Sequence, residues 1–393
     1  MLQVSNKPTP AVVQNNSANS SKPNKKPHTI TPQTGIGIGV GAAALAAGGI
    51  YIVSKGSCSP EKGLKLIQNA SSCMDTIKNI KMTPKNFKQL MFKITSNEKL
   101  SEKFIKEVIS NPRKSKENVR ILNRKIGGDK ELTDWMLRPG GYQEAYYKYT
   151  KKAVSDAKHP DDLIKVSPNW NVWKLKEKFG DDFVFGEPPK EFGGVDGYRN
   201  VFNAALNHSH VGFEHAGIKF GDYVLGGLSG KAVRRFEIGD KKYIMKFQPD
   251  FGNTDIKDNI SMKSDSAFLN SQLERYLDLN GYQQGPKLKF FDYKTNSAIY
   301  ELSEGHHPEQ KMINDILDVN AKLKDLNDLG VYYNDIGTGN FMVNKDNFSF
   351  IDSGESSFVD FFKPGVAAYH FSLPNLNGRS ITDTAAAINL SRG

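Results

Sequence analysis

The sequence predicts an α+β chain in two parts: a mostly helical first half and a two-lobed second half that contains strands. Three observations carry this. Apolar residues recur at three-to-four spacing between Leu64 and Leu175, as one-sided helices require. Apolar and polar residues alternate at period two from Lys242 to Gln248, the mark of a half-buried strand. Near the end, Phe341-Met342-Val343 and Phe348-Ser349-Phe350-Ile351 flank the polar turn Asn344-Lys345-Asp346-Asn347, which reads as a hairpin. A length of 393 residues also suits two domains. The expected parts are 1–33, 34–54, 55–200 and 201–393.

Residues 1–33 are rich in Asn, Ser, Pro, Lys and Thr and poor in large apolar groups. They cannot bury a core and are expected to be disordered. Such a composition also suits an uncleaved secretion signal for a needle-type injection system. A conventional signal peptide is not expected, because the apolar run starts too far in. That run, Gly35 to Val53, carries no charge and approaches the ~20 residues that cross a bilayer core. Its small-residue spacing suits helix packing in a membrane and equally a flexible Gly/Ala linker. Lysines on both sides (Lys25, Lys26, Lys55) give no orientation.

The formal net charge of +10 points to acidic partners: phosphates, an anionic membrane or an acidic protein. Basic residues are not clustered with aromatics, so no nucleic-acid partner is expected. Cys58 and Cys73 are the only cysteines. They exclude a disulfide framework, leave one bridge open and favour a reducing compartment.

Between 55 and 200, helical spacing is clearest at Leu64–Gln68, Phe87–Phe92, Leu100–Ile109 and Trp170–Leu175. Pro and Gly near 112, 139–141, 160 and 187–194 punctuate the helices. No chemistry is visible there, so this region is expected to bind a partner or to position the second half. His208-Ser-His210, followed by Glu214 and His215, would put two imidazoles on one strand face. With no cysteine nearby and no second pair, surface histidines are expected rather than a metal site.

Leu225-Gly-Gly-Leu-Ser-Gly-Lys-Ala-Val-Arg-Arg-Phe236 is a glycine-rich turn whose backbone could approach a ligand closely. Gly227 opens it, with Ser229 and Ala232 at the second and third glycine positions of Gly-x-Gly-x-x-Gly, and Gly226 and Gly230 nearby. A plain β-turn is the alternative. In the strand Lys242–Gln248, Tyr243, Met245 and Phe247 share one face, and Ile244 and Lys246 the other. Asp265–Gly281 is a helix with stop signals at Asn280 and Gly281. Phe268, Leu269, Leu273, Tyr276 and Leu277 form its apolar stripe, and Glu274 lies beside it. A hinge is expected around Glu301–Ser303, with His306 and His307 facing solvent after it.

The richest stretch is Val331-Tyr-Tyr-Asn-Asp-Ile-Gly-Thr-Gly-Asn-Phe-Met-Val-Asn-Lys-Asp-Asn-Phe-Ser-Phe-Ile-Asp-Ser-Gly354. It runs apolar segment, Asp335, four residues, Asn340, hairpin, Asp352-x-Gly354. Phosphoryl transfer from ATP needs a carboxylate to orient the acceptor hydroxyl, and an amide and a second carboxylate to hold magnesium. Asp335 fits the first role; Asn340 and Asp352 fit the second. Upstream, Lys246 would grip the α/β-phosphates, Ile244 would lie over the adenine, and Glu274 would pair with Lys246. Asp250-Phe251-Gly252 spells the metal-binding tripeptide of protein kinases but falls four residues after Lys246, on the wrong side of Glu274. The role therefore goes to Asp352-Ser353-Gly354.

In this ordered set, residues from about 212 to 362 resemble the minimal protein kinases that pathogenic bacteria inject into host cells. These are the OspG- and NleH-like group of type III secretion effectors and its chaperone-phosphorylating relatives. The resemblance rests on Asn334-Asp-Ile-Gly-Thr-Gly-Asn340, on Phe350-Ile-Asp352, and on the Leu-Glu-x-Tyr context of Glu274; it covers under half the chain. It implies a truncated bilobal protein-kinase-like domain with ATP and Mg as cofactors. Asp335, Lys246 and Glu274 would be its catalytic residues, and Asn340 and Asp352 its metal ligands. Gly227, Ser229, Gly230, Ile244, Lys246 and Glu301 would contact the nucleotide.

Departures from ordinary protein kinases matter. Tyr333-Asn334 replace the usual His-Arg, so activity independent of activation-loop phosphorylation is expected. Gly337 stands where a phosphate-binding Lys is frequent. The tail after Asp352 is too short for a full helical lobe. The expected function is a secreted serine/threonine kinase acting on a host chaperone or signalling protein. A kinase-shaped module that binds a ubiquitin-charged conjugating enzyme and a small-molecule phosphotransferase are the alternatives.

Overall fold

The computed structural model describes residues 57–109, 111–207, 211–226, 231–247, 256–282, 284–308, 319–333, 338–344, 347–353, 356–358, 360 and 362. The chain separates into two compact units, 1–50 and 51–393, and the first lies outside the described residues. The segments 1–33 and 35–53 therefore lie outside them, as do His208, His210, Asp250–Gly252 and the tail from 363. No helix among the described residues is long and apolar enough to cross a membrane.

Seven helices open the described chain: α1 (Pro60–Asn69), α2 (Cys73–Asn79), α3 (Pro84–Ser96), α4 (Glu98–Ile109), α5 (Pro112–Ile126), α6 (Asp129–Leu137) and α7 (Tyr142–Asp156). Of the prolines read as punctuation, Pro112 and Pro160 start helices; like Pro60 and Pro84 they occupy the first turn, where a missing N–H costs nothing. Ser59 and Thr83 cap the turns that follow them. Between α2 and α4, the Glu107 carboxylate accepts from Cys73 N at 2.6 Å and Met74 N at 3.1 Å, a negative group on a helix N-terminus. The apolar stripes close on one core around Phe87, Phe104, Trp135 and Tyr142. Cys58 and Cys73 are buried and free, so the bridge left open by the sequence is not formed.

Two short helices follow, α8 (Pro160–Ile164) and α9 (Val172–Phe179), then strand β1 (Val184–Gly186) and helix α10 (Val195–Asn207). The helix expected from Trp170 begins at Val172, because the Asn171 side chain caps it by accepting from Trp173 N. Beyond lie β2 (Phe213–His215), β3 (Ile218–Gly226), β4 (Lys231–Ile238), β5 (Lys241–Phe247), α11 (Ile256–Leu279), β6 (Leu288–Asp292) and β7 (Ser297–Glu301). The seven strands form one antiparallel sheet in the order β1-β6-β7-β5-β4-β3-β2. β1, from the helical side of the expected boundary at 200, is one of its two edge strands.

One face of the sheet packs with α10 through Tyr198, Phe202, Phe236, Tyr243 and Met245. The other meets α11 through Phe268, Leu273, Phe291 and Ala298. β5 alternates as its sequence requires: Tyr243, Met245 and Phe247 are buried, and Ile244 and Lys246 are half-buried on the opposite face. α11 starts nine residues before the expected Asp265 but stops where Asn280 and Gly281 predict. Gly281 takes φ +72°, and Tyr282 N returns to Leu277 O at 2.9 Å, the left-handed cap glycine favours. One stripe residue is corrected. Leu269 is 54% exposed while Leu273, one turn on, is 5% exposed, because neighbouring elements cover that side only beyond the intervening turn.

The remainder comprises α12 (Val319–Asp328), β8 (Val331–Tyr332), the hairpin β9 (Phe341–Asn344) and β10 (Asn347–Phe350), and β11 (Ser357–Phe358), which pairs with β8. The hairpin register matches Phe341 with Phe350 and Val343 with Phe348. Tyr332 and Phe362 are buried in the core of the seven-helix bundle, with the Tyr142 and Phe362 rings 5.7 Å apart. The first helices and the last strands thus share one core.

Candidate functional site

Lys246 is carried to the site by the alternation of β5, which turns it from the α10 face toward β7 and the hairpin. Its Nζ donates to Ile351 O at 2.9 Å and stands 4.0 Å from Asp352 Oδ2. The same amine lies 4.9 Å from the centre of the Tyr300 ring, within cation–π range. The β9–β10 hairpin returns the chain to where it left. Ile351 N donates to Asn340 O at 3.0 Å, so Asp352 follows directly beside Asn340. An aromatic cluster supports the turn: Phe350 packs 4.4 Å from Tyr333 and 5.0 Å from Phe341, ring centre to ring centre.

Glu274 is 1% exposed, not the solvated helix glutamate its sequence neighbours allow. Its two oxygens are held separately: Tyr300 Oη donates to Oε2 at 2.5 Å, and Ser353 Oγ donates to Oε1 at 2.6 Å. The expected direct ion pair with Lys246 is not made; the Tyr300 ring lies against the amine and its hydroxyl takes the carboxylate. Burial pushes the Glu274 carboxyl above its ordinary value, opposed by the Lys246 charge and by the Ser353 and Tyr300 hydroxyls, with Asp352 adding to the rise. Burial, then the neighbouring Glu274 charge, drives the Tyr300 phenol well above its usual range.

A cleft of about 650 Å³ runs past this group. Val233 and Ile244 line it from the sheet, and Met342 and Ile351 from the hairpin side. Lys246, Asn340 and Asp352 face it, and Glu301, Leu302 and Ser303 edge it where the sheet passes into the following segment. That segment is stapled to β9: His306 and Val343 exchange backbone hydrogen bonds at 3.0 and 2.8 Å, and His307 Nδ1 lies 2.9 Å from Phe341 O. Both histidines are exposed, as expected. Burial raises the Glu301 carboxyl, but Lys289 at 2.6 Å and Lys287 at 3.6 Å outweigh it and hold the group below its usual value. Its side chain is thereby committed to lysines.

Asp335 lies outside the described residues, between Tyr333 and the 3₁₀ turn Thr338–Asn340. Gly227, Ser229 and Gly230 also lie outside them, although β3 and β4 bracket that turn with Gly226 paired to Lys231. Asn334, Gly337, Lys345, Asp346 and Gly354 are outside as well. Glu214 and His215 are exposed on β2. Among the described residues, no three His, Cys, Asp or Glu side chains gather to hold a metal. Asn340 and Asp352 could hold a cation only with oxygens from elsewhere, such as a ligand's phosphates.

Sequence reasoning missed Tyr300 and Ser353. The signal for Ser353 was its place inside Asp-x-Gly. That for Tyr300 was its place just before the hinge, a large aromatic with a polar tip next to the last residue of its strand. Neither a protein-family model nor a curated protein sequence matches this chain.

Proposed function

We propose that the chain is a protein kinase that transfers the γ-phosphate of ATP, with magnesium, to a hydroxyl of a protein substrate, acting as a secreted effector in a host cell. The observation that carries this reading is the convergence of Lys246, Asn340 and Asp352 on one cleft from three separate segments. Its volume falls in the usual ~300–1,000 Å³ range of small-molecule sites. The donor set fits the nucleotide: apolar side chains toward a flat base, one amine for phosphate oxygens, and an amide with a carboxylate for a hard cation. Magnesium would neutralise charge on the transferring phosphoryl group.

In this reading Val233 and Ile244 cover the base and Met342 and Ile351 support it. Lys246 already rests between the Ile351 carbonyl and Asp352, so it needs only a short swing to meet a phosphate. Asn340 and Asp352 hold the cation. Asp335 orients the acceptor hydroxyl, a role resting on its sequence position. Gly227, Ser229 and Gly230 cover the phosphates on the same footing. Glu274 acts on Asp352 through Ser353, and on Lys246 through Tyr300, rather than by direct pairing. Nothing in this mechanism calls for a phosphorylated loop.

The test is transfer of labelled phosphate from Mg-ATP to proteins of a host lysate. Wild type is expected to label specific proteins, and Asp352→Ala and Asp335→Asn to label none while keeping the fold. Retained labelling in Asp352→Ala would refute the metal assignment. A second reading, a kinase-shaped module that binds a host protein such as a ubiquitin-charged conjugating enzyme, is favoured by the unmade Lys246–Glu274 pair. Absence of labelling by well-folded wild type, with such an enzyme retained in a pull-down, would establish it.

A further inference from the structure

Glu274 and Arg275 are neighbours on α11, about 100° apart around its axis. Glu274 faces Tyr300 and Ser353 beside the cleft. Arg275 faces the segment that leads out of the helical bundle, where it is gripped in a fork: Nη2 donates to Asp161 Oδ2 at 2.6 Å and Nε to Asp161 Oδ1 at 3.1 Å. Paired forks of this kind fix orientation as well as distance. Asp161 lies in the first turn of α8, and its carboxylate also accepts Gly186 N of β1 at 3.2 Å. Arg275 and Asp161 retain only 14% and 19% side-chain exposure, so water screens the pair weakly.

Further contacts follow the same side. Gln272 Nε2 donates to Trp170 O at 3.2 Å, and Asn280 Nδ2 to Lys165 O at 3.2 Å. Leu163 and Ile164 of α8 are buried with Leu273 and Leu277 of α11. β1 then passes so close that a Cβ on Gly186 would sit 2.0 Å from Lys289 O and 3.4 Å from Arg275 Cζ. Gly186 has φ +65°, so glycine is required here on two counts. A segment that only linked two domains would need neither a two-pronged ion pair nor a glycine at the point of closest approach.

We propose that the segment 159–186 is a built-in clamp that sets the position of α11, with Asp161 and Arg275 as positioning residues for the site that Glu274 organises. This rests on the kinase reading for its functional consequence. The chain of contacts is continuous: Asp161 fixes Arg275, the helix carries Glu274, Glu274 holds Ser353, and Ser353 adjoins Asp352. The helical half of the protein thus supplies what a phosphorylated loop or a separate activating subunit would otherwise supply.

The experiment uses the full chain, comparing wild type with Asp161→Asn, Asp161→Glu and Arg275→Lys. It reads steady-state phosphate transfer from Mg-ATP and amide hydrogen exchange over residues 267–279. Asp161→Asn is expected to lower kcat about tenfold with KM for ATP within about twofold, since a displaced α11 weakens transition-state contacts more than nucleotide binding. Exchange over 267–279 should quicken while that of α1 to α7 holds. Asp161→Glu, which restores the charge, should recover most of the rate. Wild-type activity in Asp161→Asn, or exchange in α11 unchanged, would overturn the clamp and leave the kinase reading intact. If wild type itself transfers no phosphate, the kinase reading fails, and the exchange of α11 alone decides the clamp. Should Asp161→Asn not fold, Arg275→Lys carries the test, because it keeps the charge and loses the fork; a wild-type rate there overturns the proposal.

Discussion

Ser353→Ala removes one hydroxyl from a buried carboxylate and changes little else. Ser353 is 1% exposed, and its Oγ donates to Glu274 Oε1 at 2.6 Å. A hydrogen bond to a charged group contributes ~1.5–3 kcal/mol. For ~2 kcal/mol in a unit of this size the melting temperature should fall by roughly 3 °C. The loss should depend on pH in a definite direction. Burial holds the Glu274 pKa above its ordinary value, with Lys246 (β5), Tyr300 (β7) and Ser353 opposing the rise and Asp352 adding to it. A carboxyl with a raised folded pKa contributes its stability fully below the unfolded value and loses it as pH climbs through the folded one. Removing the hydroxyl raises the folded pKa further. The variant therefore falls behind most on the alkaline side of that titration, where the hydroxyl faces a charged carboxylate. As pH falls, the gap closes toward the ~1 kcal/mol of a neutral hydrogen bond. The assay is a set of thermal melts of both proteins from about pH 5 to about pH 8.5. The same loss at both ends, or no loss, would refute the network.

Two further expectations test the fold around the site. Leu269→Ser should change stability by no more than ~0.5 kcal/mol, because the side chain is exposed. Leu273→Ala, in contrast, should cost ~2–5 kcal/mol, and paired denaturant melts separate the two. Gly281→Ala should cost ~1–2 kcal/mol by forcing a Cβ into the left-handed cap at φ +72°. An unchanged melting temperature there would show that α11 ends differently.

Local rules were enough for the elements nearest the chemistry. The period of two in Tyr243–Phe247 predicts which face carries Lys246, and the structure agrees. Asn280-Gly281 predicts the end of α11, and the β9–β10 pairing follows from Phe341–Val343 and Phe348–Ile351 around a polar turn. The partners of Glu274 were not legible. Tyr300 and Ser353 lie 26 and 79 residues away in the chain, and nothing local to any of the three specifies that two hydroxyls would replace a lysine. Arg275 had no visible role for the same reason, since its partner Asp161 lies 114 residues upstream. Leu269 obeyed the helical period and is nonetheless exposed, because periodicity gives a face but not how far along the helix that face is covered.

Much of the core around the sheet and α11 comes from residues that precede 201. A fragment beginning at residue 201 would lose Leu163, Ile164, Leu175, Phe183, Phe185, Phe192 and Tyr198, all buried against the sheet or α11. At ~1.5–3 kcal/mol for each, those seven side chains represent ~10–20 kcal/mol, as large as the whole stability of a typical domain. The fragment would also lose Arg199, whose Nε and Nη2 donate to the two oxygens of Asp292 at 2.9 and 2.8 Å. Asp292 is fully buried, and stranding such a charge costs a further ~3–5 kcal/mol. Residues 201–393 alone should therefore be insoluble or melt without a cooperative transition, whereas 57–393 should melt cooperatively. A soluble 201–393 fragment with a sharp thermal transition and retained ATP binding would show that the helical half is an accessory. Failure of that fragment beside a stable 57–393 chain would mean that the two halves fold as one, which the clamp on α11 requires.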